Sequence, residues 1–374
     1  MNQGAGKMAK IALMTSWNAC CGVSVHAELI GEALLRLGHE IKVFAPRQYE
    51  DDGTRLYFSP DEGFVTRNFS FLRYGDRCTD KGLIDALYFD PEPILDEDFD
   101  LLIVEKPTST PLGGLKKILP EIKEKARVIA VLHEGWMPEN PYFARVEWDA
   151  VAVFDERYKD LFSPVLPEET LHVIPFPCHP LDRRDKFEAR EKLGIPQFCE
   201  VVFSFSGLHQ PEAVLTSLEG LEKDYPELVY LCLTGDPEMY WYLQGLGRKY
   251  EFLDVRFGRP PTRELYGYLG AADAVVINKG DHIHLVISSS VHLCLGALVP
   301  ILCSDVNYFD AFGGAVMRYR DSAELEEQLY ATLSEGGAEV SEKARRFLEL
   351  RSADLVAERL LDIGLGNEPT PNRN

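Results

Sequence analysis

Residues 263–305 constrain the fold more tightly than any other stretch. They run helix, buried strand, polar loop, helix, buried strand. Leu265, Leu269 and Ala272 mark one face of a short helix, and Ala274–Ile277 is a continuous apolar run, the pattern of a strand covered on both faces. Residues 278–281 supply turn chemistry. Ser288, Ser289 and Ser290 stand at or near the next helix start, where hydroxyls cap free N–H groups. Gly296 is expected to close that helix, and residues 299–303 to begin the next strand. Doubly covered strands joined by helices build open parallel sheets, which bind ligands at the carboxyl ends of their strands. The loop at 278–290 is therefore the expected seat of a phosphate-bearing ligand, held by helix N–H groups and the helix dipole.

The same alternation runs through the chain in two series. The first opens with a strand at 10–15 and a loop at 17–23 with Gly22 at its turn. A helix follows at 24–37, on which Val25, Leu29, Ala33 and Leu37 repeat every four residues. Gly38 caps that helix and a strand follows at 41–45. Residues 51–98 read as irregular. Strands are expected at 101–104, 128–132, 149–154 and 171–175, with helices at 115–126 and 156–162. Pro175, Pro177 and Pro180 stiffen the exit. The second series has a strand at 201–206, a turn at Gly207, a helix at 212–223, strands at 229–234 and 254–257, and then the stretch above. Helices at 322–333 and 340–363 and a frayed tail end the chain. The expectation is an α/β protein of two Rossmann-like doubly wound domains, at 1–180 and 181–345, with residues 346–374 forming a returning helix and tail.

Composition narrows the function. A chain of 374 residues exceeds one ordinary core. A formal net charge of −21 argues against nucleic acid and against a polybasic membrane patch. No apolar run is long enough to span a membrane, and no signal-peptide core opens the chain. The eight cysteines form no CxxC, so neither a zinc site nor a redox motif is indicated. A cytoplasmic protein without cofactor or metal is the expectation.

Two segments carry a family pattern. In the first, Gly22, Val23, Leu34, Gly38, His39 and Val43 fall into a strand, "GGV/I", helix, "GHEVxV" arrangement. In the second, Ala271, Ala272, Asp273, Gly296, Pro300, Ser304 and Asp305 fall into an "AAD … CGxPVVASD" arrangement. His172, Val173, Ile174 and Pro175 match "VHVIP", and residues 128–133 match a strand ending in histidine. The chain resembles the family 4 retaining glycosyltransferases of GT-B fold over residues 8–363. The resemblance implies two domains facing one interdomain cleft and transfer of a sugar from a nucleotide-sugar, or other activated sugar, to an unknown acceptor without a metal. It implies that His133 lies beside the transferred sugar; a strand-end histidine bound to backbone is the alternative reading. It also implies that Gly22, Val23 and Gly207 line the donor.

Four positions depart from the pattern. Leu208 and Ala213 stand where the family has the arginine and lysine that hold the diphosphate, and Ile283 and Val291 stand where it has two glutamates. His209, Lys279, His282, His284 and Arg259 are candidate replacements, beside Ser288, Ser289 and Ser290. A catalytically inactive partner or ligand-binding protein is the alternative, and a sugar-nucleotide epimerase the second alternative.

Overall fold

The computed structural model describes residues 8–47, 50–51, 54–55, 60–71, 87–205 and 208–366. The chain divides into two compact units, Met1–Pro177 with Ala353–Asn374, and Cys178–Ser352.

The first unit is built on a seven-stranded sheet. Its strands are β1 (Lys10–Met14), β2 (Glu40–Pro46), β3 (Val65–Phe69), β4 (Leu101–Glu105), β5 (Arg127–Val131), β6 (Ala150–Val153) and β7 (Leu171–Val173). Their spatial order is β3-β2-β1-β4-β5-β6-β7, and every pairing is parallel. The chain order reverses between β1 and β4, which creates a switch point where ligands bind such sheets. Leu101, Leu102, Ile103 and Val104 are fully buried, as a strand covered on both faces requires. Helix α1 (Gly22–Arg36) buries Val23, Ala27, Ile30 and Leu34. Gly38, at φ 87°, takes the left-handed position beyond that helix. The last helix of the chain, α12 (Ala353–Leu365), packs on α1. Arg36 reaches Asp354 at 2.7 Å and Arg127 Nε donates to the Gly364 carbonyl at 2.6 Å. A Cβ on Gly364 would come within 2.5 Å of Leu101, so this helix lies directly on the sheet.

The second unit carries six parallel strands: β8 (Val201–Phe205), β9 (Val229–Thr234), β10 (Leu253–Phe257), β11 (Ala274–Ile277), β12 (Ile301–Ser304) and β13 (Met317–Tyr319). Their order is β10-β9-β8-β11-β12-β13. It too reverses, between β8 and β11. Two doubly wound parallel-sheet units are the architecture expected from sequence.

Local differences have local causes. The stretch expected to be irregular contributes β3, an edge strand only partly buried along its length. Helix α7 (Pro237–Leu246) has no apolar stripe to announce it, because Leu243 is its one buried residue. The helix expected at 340–363 is two, α11 (Ala338–Leu350) and α12, broken at Arg351 (φ −132°, ψ 24°). Gly296 does not cap its helix. It lies in a 3₁₀ turn, Leu295–Ala297, and the left-handed residue is Leu298 at φ 54°. A Cβ on Gly296 would stand 2.2 Å from the Pro180 carbonyl, and that close approach is what excludes a side chain there.

Asp273 shows why the Ala-Ala-Asp run ends in a carboxylate. It accepts from Arg190 Nη2 at 2.7 Å, Lys186 Nζ at 2.6 Å and the Val201 N–H at 2.7 Å. It thereby ties the start of β8 to helix α5 (Lys186–Leu193). Arg190 is only 4% exposed. Removing its counter-ion strands a buried guanidinium, so Asp273→Ala is expected to cost about 3–5 kcal/mol in chemical denaturation. A loss below about 1 kcal/mol would mean that the pair is dispensable.

Candidate functional site

The first unit gathers polar groups at the carboxyl edge of its sheet. Strand β4 ends in Glu105, whose carboxylate is fully buried. His26, on the buried face of α1, places Nδ1 2.9 Å from Oε1. His133, two residues beyond β5, places Nε2 2.5 Å from Oε2. The two imidazoles meet edge to face with centroids 5.1 Å apart. Phe154, following β6, packs on both rings at 5.4 and 4.9 Å, and Phe176, beyond β7, packs on His26 at 5.1 Å. Five elements of the sheet layer thus converge on one carboxylate in an aromatic cage.

The electrostatics follow from this enclosure. Burial alone would raise the Glu105 carboxyl, but the neighbouring His26 and the hydrogen bonds from both imidazoles outweigh it and hold the pKa at about 2. Burial pushes the His133 imidazolium down, and Glu105 recovers only part of that shift. The favoured state is an ionised Glu105 beside a neutral His133. Nε2–H then donates to the carboxylate, which leaves the lone pair on Nδ1. His26 Nδ1, Glu105 and His133 Nε2 lie within 4.8 Å of one another, the spacing of a three-ligand metal set. Each nitrogen, however, faces a separate carboxylate oxygen at hydrogen-bond distance, the geometry of two shared protons.

Beside the cage, Glu134 is fully buried and accepts from the Thr108 hydroxyl. Its Oε2, and Ser109 Oγ, have no hydrogen-bond partner among the described residues.

The loop between β1 and α1 is braced from two sides. Asn18 takes a left-handed backbone (φ 52°) and donates through Nδ2 to Asp61 and Glu62. Trp17 Nε1 donates to Glu62 at 3.0 Å, and Arg67 clamps Asp61 while holding the Trp17 carbonyl. Behind it, Ser24 Oγ accepts from the Ala19 N–H and donates to Glu28, which also accepts from the Asn18 N–H. Gly22 and Val23 are not in the turn. They are the first two residues of α1, and the left-handed turn residue is Asn18. Among the described residues no side chain caps α1, and no acidic residue sits in its first turn, so no charge on the helix itself offsets the positive end of its dipole.

In the second unit, Gly207 lies outside the described residues. His209 is exposed, and its ring lies against Gly280, where a Cβ would come within 3.0 Å of Nε2. Asn278 Nδ2 donates to the His209 carbonyl and Oδ1 accepts from the Tyr319 hydroxyl. Ser304 Oγ accepts from the Lys279 N–H and donates to its carbonyl. Asn307 Nδ2 holds the His282 and His284 carbonyls, and His282 Nδ1 lies 3.2 Å from the His284 N–H. The His282 and His284 rings meet edge to face at 5.6 Å. Ser288 caps α9 (Ser289–Cys294) by accepting from the Val291 N–H. Ser289 and Ser290 are its first, partly buried residues. Lys279 is half-buried without an ion-pair partner among the described residues, and burial lowers its pKa. Arg259 crosses the face of Gly235, where a Cβ would meet its side chain at 2.0 Å.

His26 and Glu105 were not singled out in the sequence. The available signal was a histidine on an otherwise apolar helix face and a glutamate closing an apolar strand.

No family model matches the chain. Its fold recurs in solved structures of low sequence identity. A glycosyltransferase from Rickettsia africae superposes with a TM-score of 0.66 at 11% identity, covering 96% of this chain and 99% of its own. HepE from Anabaena, solved with UDP-glucose, gives 0.63 at 13%, covering 95% and 98%. A sucrose-phosphate synthase from Thermosynechococcus elongatus gives 0.62 at 14%, covering 94% and 97%. The chain has the GT-B glycosyltransferase fold over nearly its whole length.

Two measurements check this geometry. Burial raises the Glu28 carboxyl to about 7 against the hydrogen bonds of Ser24 and Asn18. A carboxyl raised in the folded state holds a proton that the unfolded chain has released. Its contribution therefore erodes as pH rises from about 4.5 to about 7. Glu28→Gln is expected to be more stable than the parent near neutrality, with the difference closing towards the acid end of that window. Parallel stability–pH curves would contradict it. Separately, an unpaired half-buried ammonium costs stability, so Lys279→Met is expected to raise Tm by a few degrees, on the order of 1 kcal/mol. A fall of that size would mean the ammonium is paired.

Proposed function

We propose that the chain is a retaining, metal-independent glycosyltransferase of the family 4 type that uses a nucleotide-diphosphate sugar. The observation that carries this reading is His133, held through Nε2 by a buried carboxylate at the carboxyl edge of a parallel sheet in a GT-B chain. With Nε2 committed to Glu105, Nδ1 accepts a hydrogen bond from a hydroxyl of the transferred sugar. Charge builds on the departing diphosphate, and its stabilisation falls to fixed N–H groups and cations. In this reading Lys279 supplies the cation and the first turn of α9, at Ser288, Ser289 and Ser290, supplies N–H groups. Gly22 and Val23 present the start of α1, and His209, His282 and His284 border the donor loop. The UDP-glucose, UDP and glucose bound by Anabaena HepE support a nucleotide-sugar as ligand. The first unit is the acceptor side, and the protein acts in the cytoplasm.

A second reading, a GT-B protein without turnover, is favoured by the exposure of Ile283. It is 91% exposed where the family pattern has a glutamate, and Val291, at the other glutamate position, is fully buried. An apolar tip on the donor loop suits a protein partner better than a diphosphate.

Calorimetric titration with UDP-, GDP- and ADP-glucose, followed by donor hydrolysis in the presence of chelator, separates the two. Turnover of one donor, undiminished by chelation, is expected. Absence of both binding and hydrolysis with all three would favour the second reading. His133→Ala is expected to lower turnover about a hundredfold or more while donor affinity changes little. Glu105→Gln removes the negative charge that sustains the His133 pKa, so the acid limb of the pH profile should move to lower pH. An unmoved limb would separate Glu105 from the chemistry.

A further inference from the structure

A cavity of about 690 Å³ opens in the first unit, lined by none of the residues of the histidine cage. Its wall is the start of helix α3 (Leu112–Lys125), the segment at Phe89 and the 3₁₀ turn Tyr142–Arg145. The volume lies within the range of small-molecule sites. The opening depends on glycine. A Cβ on Gly114 would stand 2.5 Å from the Phe89 ring, so a side chain there would displace the aromatic wall.

The lining has two chemistries. Leu112 and Phe89 present apolar surface, while Lys116, Lys117 and Arg145 bring three cations. No carboxylate lines the cavity among the described residues. In a chain of net charge −21 that is a marked local inversion of sign, and a cleft of one charge concentrates ligands of the other. Two of the cations are held in place. Lys116 Nζ donates to the Arg145 carbonyl at 3.1 Å. Arg145 Nη2 donates to Asn140 at 3.1 Å, with its guanidinium 5.1 Å above the Tyr142 ring. Lys117 is exposed and makes no ion pair among the described residues, so its ammonium is available to an added anion.

We infer that this cavity binds an amphipathic anion, a phosphate-type head group carried on an apolar body. The apolar wall takes the body and the cationic rim takes the head. Connectivity relates the cavity to the cage. The segment entering α3 carries Thr108, which donates to Glu134, the residue after His133. That relation makes the ligand a candidate acceptor. The acceptor role rests on the glycosyl-transfer reading, whereas the binding does not.

The test is direct binding to the intact protein, without donor, by titration calorimetry. The probes are n-octyl phosphate, inorganic phosphate and n-octyl glucoside, all below the micelle concentration. Vesicles of phosphatidylcholine with and without phosphatidic acid form a separate arm. Octyl phosphate is expected to bind at least tenfold more tightly than either other soluble probe. Lys117→Gln/Arg145→Gln, at two exposed positions and with the fold checked by circular dichroism, should abolish that preference. Gly114→Leu, which fills the cavity, should weaken octyl phosphate and leave inorganic phosphate unchanged. Binding to phosphatidic acid vesicles that the double variant loses would identify a bilayer lipid as the source. Binding confined to soluble octyl phosphate would identify a free ligand. Equal affinity for octyl phosphate and octyl glucoside, or a preference that survives the double variant, would overturn the inference. Octyl phosphate binding without turnover in the presence of a donor that the enzyme hydrolyses would retain the site and remove the acceptor role.

Discussion

The first unit is organised around one buried charge. Glu105 ends a strand whose other residues are fully buried, and its carboxylate has no access to water. Such a group costs several kcal/mol unless partners satisfy it. Both partners come from elsewhere in the chain, His26 from the crossover after β1 and His133 from the end of β5. The carboxylate therefore fixes where α1 lies against β4 and where the β5 loop leaves the sheet. Phe154 and Phe176 close the cage from β6 and β7, so a chemical requirement of one side chain becomes a positional constraint on five elements. His133 Nε2 is turned inwards and held on that carboxylate, which fixes the orientation of the ring.

The second unit holds its loop after β11 differently. Its loop after β11 is fixed by neutral hydrogen bonds, with Ser304 on Lys279 and Asn307 on the two histidine carbonyls. These bonds shape the loop without using the Lys279 ammonium, which is half-buried and makes no ion pair among the described residues. An unpaired cation is unfavourable in the free protein and favourable once an anion arrives, a common compromise between stability and binding.

Much of the fold was legible because its signals are local. Apolar runs such as Ala274–Ile277 announce covered strands, Gly38 takes the left-handed position its helix end needs, and Ser288 caps the helix it precedes. The signal failed where burial is partial or the cause is distant. Helix α7 buries a single residue, β3 is an edge strand, and the break at Arg351 carries neither glycine nor proline. Gly296 was legible as a required glycine but not for its reason, a close approach to the Pro180 carbonyl across more than a hundred residues of chain. The candidate site was half legible for the same cause. His133 stands at a strand end, which a sequence displays. Its pairing with Glu105, and that of Glu105 with His26 over 79 positions, exists only once the sheet order brings β1, β4 and β5 side by side.

Glu105 is expected to hold His133 as a neutral imidazole protonated on Nε2. Nitrogen-15 chemical shifts of selectively histidine-labelled protein test it directly, with the His133 signals assigned by their loss in His133→Gln. One Nε2-type proton-bearing nitrogen and one bare Nδ1 are expected throughout the neutral range, with that tautomer lost or mixed in Glu105→Gln. A His133 protonated on both nitrogens at pH 7, or carrying its proton on Nδ1, or unchanged by Glu105→Gln, would contradict it.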